Sequence, residues 1–124
     1  MSVLDDVTKR LELGKSKYGH GVRVAMDTTT WGTPKNSWME MAKEEFLDAL
    51  VYVTADYIVK GRAGDITMSD MEAYYISDLE TTPEALGRVD DNELIMYILK
   101  NKQDMEACSH KTLLFNLFNI LDAY

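Results

Sequence analysis

SWMEMAKEEFLDALVYVTADYIVK, the stretch from Ser37 to Lys60, decides how the rest of this chain is read. Ser37 is placed to cap a helix, with Glu40 three residues on in the capping-box position. The helix is expected to run to about Lys60 and to stop at Gly61 and Gly64, which makes it the longest uninterrupted helical segment. At roughly 100° per residue, Glu40, Glu44 and Asp48 fall within roughly 80° of one another, and Glu45 lies about 60° beyond Asp48. Phe46, Leu47, Leu50, Val53 and Tyr57 take the opposite side and form a core face. Toward the C-terminus the acidic side turns apolar through Val51, Ala55 and Ile58. A helix apolar on both sides is expected between neighbours, with its carboxylates pointing into the interior or at its rim. Like charges that close need a partner, and divalent cations with oxygen ligands are the natural one. The competing reading is a solvated acidic face.

Working outward, Ser2 and Asp5 mark a first helix, with Val3, Leu4, Val7 and Leu11 at helical spacing and an end near Gly14 to Lys17. Gly19 and Gly21 bracket His20 and break any continuation. Tyr18 to Ser37 does not read as helix: it holds Gly19, Gly21, Gly32, Pro34 and three consecutive threonines from Thr28. Val22, Val24 and Met26 alternate as a very short strand does. So long an irregular segment is either a binding loop or lid, or a plain surface connection. Beyond the central helix, Ser69 and Glu72 form a capping box ahead of Met71, Tyr75 and Leu79. Thr82-Pro83 opens a short helical piece. Asp90 and Glu93 repeat the capping pattern before Leu94, Ile95, Ile98 and Leu99, and a final helix covers Leu113 to Leu121. The expectation is an all-α protein, a single domain over residues 1–124, built as a bundle of about five helices with a long loop after the first.

The composition narrows the function classes. The chain has 124 residues, 46% of them apolar, and these suffice for one core. A formal charge of −8 disfavours binding to a nucleic acid polymer, and the basic stretch Lys9, Arg10, Lys15 and Lys17 is diluted by acidic neighbours. No apolar run approaches a membrane span. Asp5 and Asp6 stand where a signal peptide has a basic start and an apolar run, and Cys108 is the single cysteine. A cytoplasmic location is expected. Gly14-Lys15-Ser16 ends like a P-loop, but position 9 is Lys where the earlier glycine belongs, and the stretch closes a helix instead of opening one. His20 has no partner in sequence, and Cys108 with His110 has no further ligand nearby. Trp31 and Trp38 are candidates either for stacking on a base or for packing. The eight methionines read as core filler. The run from Leu113 to Leu121 is apolar on almost every side, which points to a homo-oligomer built on a dimer, or else to a central core helix.

The stretch Ser37 to Tyr52, together with Lys17-Tyr18-Gly19 followed by a loop and a tryptophan, resembles the small MazG-like nucleoside triphosphate pyrophosphohydrolases, in particular the compact versions carried by phages. The likeness covers about residues 10–62. It implies an all-helical fold and the use of Mg²⁺ or Mn²⁺ to cut between the α and β phosphates, releasing a monophosphate and pyrophosphate. It implies Glu40, Glu44, Glu45 and Asp48 as metal ligands, with Glu44 and Glu45 as the catalytic pair. A deprotonated metal-bound water would attack the α-phosphorus. Family members carry two carboxylate motifs on two helices, and Glu44, Glu45 and Asp48 match either. Asp70 with Glu72, the set Asp90, Asp91 and Glu93, or another subunit is left to supply the other half. Lys17, Arg23, Lys35 and Lys43 are candidate cations for the leaving pyrophosphate. Tyr18 and Trp31 offer stacking surface, and Asp27 is a candidate acceptor for the N1 and N2 edge of guanine. The expected substrate is therefore a (deoxy)nucleoside triphosphate, with dGTP or GTP first. The alternative is a non-catalytic helical module that contacts a protein through its apolar C-terminal helix.

Overall fold

A computed structural model describes residues 2–73 and 90–123. Every regular element among these residues is helical. Helix α1 spans Val3–Tyr18, α2 Trp38–Arg62, α3 Asn92–Lys100 and α4 Ser109–Asp122, with short 3₁₀ turns at Thr28–Trp31 and Lys102–Asp104. A further helix opens at 70–73. Its expected course through Tyr75 and Leu79, and the piece at Thr82-Pro83, lie outside the described residues. The chain divides into two compact units, Met1–Trp38 and Met39–Tyr124.

In the first unit α1 starts as its sequence dictates. The Ser2 hydroxyl accepts from the Asp5 amide at 3.2 Å, and the Asp5 carboxylate accepts from the Ser2 amide at 3.3 Å. The helix passes through Gly14 and ends one turn later. Gly19 adopts φ 81°, a left-handed conformation that costs glycine little, and its N–H donates to the Lys15 carbonyl at 2.9 Å. None of the apolar side chains of α1 is buried; Val3 and Leu4 are each 77% exposed.

The expected strand at Val22–Met26 does not form. A turn closes there from the Met26 amide to the Arg23 carbonyl, and no strand occurs among the described residues. Side-chain bonds to the backbone offer this segment an alternative to a ladder. Asp27 caps the 3₁₀ turn, accepting at 2.9 Å from the Thr29 amide and at 2.6 Å from the Thr29 hydroxyl. The buried hydroxyls of Thr28 and Thr33 lie 2.8 Å apart, and both reach the Lys35 carbonyl. Thr28 accepts from the Ser37 amide at 2.8 Å, and the Asn36 side chain accepts from the Thr28 amide at 3.0 Å. Trp38 donates its indole N–H to the Val24 carbonyl and meets Trp31 edge-on, with centroids 5.7 Å apart. The long loop is thus a hydrogen-bonded knot, and Trp38 works as its packing post.

In the second unit the core forms around the C-terminal half of α2. Leu50, Thr54, Tyr57 and Ile58 recur at helical spacing and are buried, facing Leu94, Ile98 and Leu99 of α3 and Leu114 and Leu117 of α4. The expected core face is therefore shifted: Leu50 and Tyr57 belong to it, Val53 is half-buried, and Phe46 and Leu47 are 37% and 48% exposed. The contacts of α3 and α4 bury α2 from Leu50 to Ile58, and its first turns only border an open groove with Ile120 and Leu121 of α4. Ser69 and Glu72 close their capping box as expected. The buried Glu72 also accepts from the Tyr57 hydroxyl at 2.9 Å. Before α3 the capping pattern is different from the expected one. Asp91 occupies the cap without a side-chain bond, and the Asp90 carboxylate accepts from the Asn92 amide. Helix α4 begins four residues earlier than expected, because the Cys108 thiol accepts weakly from the Lys111 amide and sets the first turn there. Its apolar run is divided: Leu114 and Leu117 are core, Phe118 and Leu121 are half-buried, and Leu113, Phe115 and Ile120 are exposed. The Lys102 ammonium sits 4.0 Å from the Phe118 ring centroid, a cation–π contact at the edge of the core.

The Tyr57–Glu72 bond yields a stability test. Tyr57→Phe keeps the ring and removes the donor, leaving a buried carboxylate short of one partner. The unfolding free energy should fall by about 1–3 kcal/mol in urea denaturation. An unchanged midpoint would show that the bond contributes nothing net.

Candidate metal and substrate site on helix α2

The four carboxylates of the candidate site stand on the first three turns of α2, upstream of the part held in the core. Glu40 is half-buried, whereas Glu44, Glu45 and Asp48 are exposed. Of the two expected positions, the bundle interior and its rim, the interior is taken by none of them, and Glu40 alone is partly covered. Of the residues that continue their side of the helix, Ile58 is buried and Ala55 half-buried, but Val51 is exposed. The two-sided burial begins only near Leu50. The physical reason is charge: a row of carboxylates without buried cations is far cheaper to leave in water than to desolvate.

Glu40, Glu44 and Asp48 follow at i, i+4 and i+8, so neighbours in the row lie on one face about 5–6 Å apart. No group of three or more Asp, Glu, His or Cys side chains converges tightly enough to hold a metal ion among the described residues. A full protein cage is therefore not what this surface offers. A pair of carboxylates one turn apart is what it offers, and Mg²⁺ bound to nucleotides uses one or two carboxylates, with waters and phosphate oxygens completing the octahedron. The donor type and spacing fit such an ion only together with a phosphorylated ligand.

The candidates for a second carboxylate motif fare unequally. Glu72 is 2% exposed, and one of its oxygens already accepts from the Tyr57 hydroxyl, the Ser69 hydroxyl and the Ser69 amide. It holds the fold. Asp90 is bonded to the backbone of α3, and Asp91 lies 3.7 Å from the Arg62 guanidinium. Asp70 and Glu93 are exposed.

The other candidate residues belong to the first unit. Lys17 and Tyr18 are exposed at the end of α1, where the Lys17 ammonium lies 5.4 Å from the Tyr18 ring centroid. Asp27, Trp31 and Lys35 all lie on the knotted loop. The bonds from the Thr29 hydroxyl and then the Thr29 amide hold the Asp27 carboxyl below its ordinary range. One of its oxygens is thereby committed to the turn. Trp31 is half-exposed, with an edge contact to Trp38, and Lys35 is exposed.

One pairing has no precursor in the sequence reading. His110 Nε2 lies 2.7 Å from the Asp56 carboxylate, which also takes the Lys60 ammonium at 2.9 Å. The Asp56–Lys60 half is legible as an i, i+4 pair, but 54 residues separate Asp56 from His110. The pair borders a groove lined by Tyr52, Val53, Ser109 and Leu113. The remaining ring nitrogen, Nδ1, is buried and has no hydrogen-bond partner among the described residues. The dyad is a clip between α2 and α4.

Comparison of the chain with protein-family models, with curated proteins and with solved structures finds no match.

The clip has a pH signature. The hydrogen bond from His110, and after it the one from Lys60, lower the Asp56 pKa from its ordinary value. A carboxylate with a folded pKa below its unfolded one contributes stability that is complete above about pH 4 and is lost as pH falls through the folded value. In thermal melts the gap between wild type and Asp56→Asn should narrow as pH falls through the ordinary carboxylate range and below it. A gap independent of pH would remove Asp56 from the acid limb.

Proposed function

We propose that this protein hydrolyses a purine deoxynucleoside triphosphate, dGTP foremost, to the monophosphate and pyrophosphate, using Mg²⁺ or Mn²⁺ recruited by the acidic row of α2. The observation that carries the reading is the division of α2. Its C-terminal half is fixed in the core by Leu50, Thr54, Tyr57 and Ile58, and its N-terminal half presents Glu44, Glu45 and Asp48 to solvent beside Glu40. A helix anchored at one end holds the carboxylates at fixed spacing, as electrostatic catalysis on a triphosphate requires. When bound, the metal ions supply charge neutralisation and an acidified water. The chain's own part is to orient the ions through carboxylate pairs and to accept the water proton at Glu44 or Glu45. Lys43, on the same turns, adds a cation for the departing phosphates. The resemblance to MazG-like enzymes in the Glu-Glu-x-x-Asp-Ala-x-x-Tyr pattern supports the same reading. The overall charge of −8 suits a free nucleotide carried with its metal better than a nucleic acid polymer. No helix among the described residues is long and apolar enough to cross a membrane, in keeping with the proposed action on nucleotides of the cytoplasm.

A homo-oligomer built on a dimer belongs to the same proposal. Helix α1 leaves Val3, Leu4, Val7 and Leu11 exposed, and a 16-residue helix is marginal in water without a packed apolar face. The same exposure favours a second reading, in which the chain is a protein-binding module without catalysis.

Incubation with a panel of nucleoside triphosphates and Mn²⁺, with products separated by ion exchange, decides between the two. The proposal expects monophosphate plus pyrophosphate from dGTP, abolished by EDTA. Diphosphate plus phosphate would assign the wrong bond, and no turnover of any nucleotide would favour the binding module. Glu44→Gln, Glu45→Gln and Asp48→Asn should each lower kcat by about 100-fold or more, while the apo protein melts no lower than wild type. Near-normal rates in all three would move the site elsewhere.

A further inference from the structure

We propose that the base of the substrate lies in a groove between the first turns of α2 and the last turn of α4, an inference that rests on the hydrolase reading and gives it a specificity site. The groove encloses about 210 Å³ and is lined by Met39, Ala42 and Phe46 from α2 and by Ile120 and Leu121 from α4. Glu40 and Lys43 belong to the same lining, so the groove is continuous with the acidic row through Glu40. The walls are apolar and exposed where a ligand would lie: the Met39, Phe46 and Ile120 side chains are all open to solvent.

The occupant follows from size and from the order of chemistry around the helix. The volume accepts one flat ring system and falls below that of pockets that enclose a whole drug-sized ligand, so a sugar and its phosphates must lie outside. With Glu40 at zero, Ala42, Phe46 and Met39 fall at roughly 200–260°, Lys43 at about 300°, and Glu40, Glu44 and Asp48 between 0 and about 80°. The helix surface therefore runs from apolar groove to cation to carboxylates. A nucleoside triphosphate with its metal runs from apolar ring to anionic phosphates to divalent cation. Laid along α2 in that sense, the ring meets Phe46 and the Met39 thioether, and the phosphates pass Lys43 on the way to metal held by the acidic row. Complementarity holds at each of the three stations, and all the residues involved lie in one compact unit. This places the base against α4, in contrast to the Tyr18 and Trp31 platform expected from the sequence.

The test uses the full chain with ¹³C-labelled methionine, isoleucine and leucine methyls, titrated with dGMP and separately with pyrophosphate, each with Mg²⁺. The expected result is that dGMP shifts the Met39, Ile120 and Leu121 methyls and spares the core methyls of Ile58 and Ile98, while pyrophosphate leaves all of these unmoved. Phe46→Ala should weaken dGMP binding about 10-fold and raise KM for dGTP more than it lowers kcat. Ile120→Ala, at a second exposed wall, should act in the same direction. The inference is overturned if dGMP shifts other methyls or none, or if these methyls shift with protein concentration alone, which would make a second copy the occupant. Hydrolysis of dGTP with an unaltered KM in Phe46→Ala would sink the groove and leave the hydrolase standing. A dGMP response at the groove without turnover of any triphosphate would sink the hydrolase and leave the groove as a nucleotide site.

Discussion

The Tyr57 side chain is fully buried, and its hydroxyl donates to a carboxylate, Glu72, that is itself almost fully buried. Much of the second unit follows from that contact. The ring packs among α2, α3 and α4, and the hydroxyl ties α2 to the start of the helix at 70–73. Burial, with the Glu72 carboxylate after it, pushes the phenol well above its ordinary range, so Tyr57 remains a donor at every physiological pH. His110 stacks at a tilt 5.8 Å from the same ring and reaches Asp56, the residue before Tyr57. One turn of α2 thus carries two polar fixings of the unit, and each joins residues distant in sequence.

That fixed turn gives α2 its polarity. From Leu50 to Ile58 the helix faces the core; before Leu50 its long side chains stand largely exposed, acidic on one side and apolar on another. The same 25 residues serve as both anchor and working surface. The arrangement reconciles two demands that conflict in one place. A row of carboxylates needs water or cations, and a rigid scaffold needs buried apolar contacts.

The all-helical character, the capping boxes at Ser2 and Ser69 and the extent of α2 were legible because each rests on contacts within three or four residues. The strand at Val22–Met26 was misread because alternation over five residues carries less information than the threonine and asparagine bonds that close the loop, and those bonds span five to nine residues. The acidic row was legible as a row, by periodicity alone. Its exposure was not, because exposure depends on how far α3 and α4 reach along α2. Thr54 shows the same limit: a polar residue at a fully buried position, its hydroxyl turned back to the Leu50 carbonyl, is invisible to a hydrophobic pattern. The Asp56–His110 clip has no local signal whatever on the His side.

The central claim is that the exposed first turns of α2 are where divalent cations act. Paramagnetic broadening by substoichiometric Mn²⁺ in an amide-resolved NMR spectrum tests it most directly, since the effect falls steeply with distance from the ion. In the presence of pyrophosphate the account predicts that signals of residues 40–48 broaden first, that residues 54–58 of the same helix broaden later, and that Glu44→Gln with Asp48→Asn abolishes the difference. Broadening centred on Asp56 and His110, or spread evenly over the acidic surface, would contradict it.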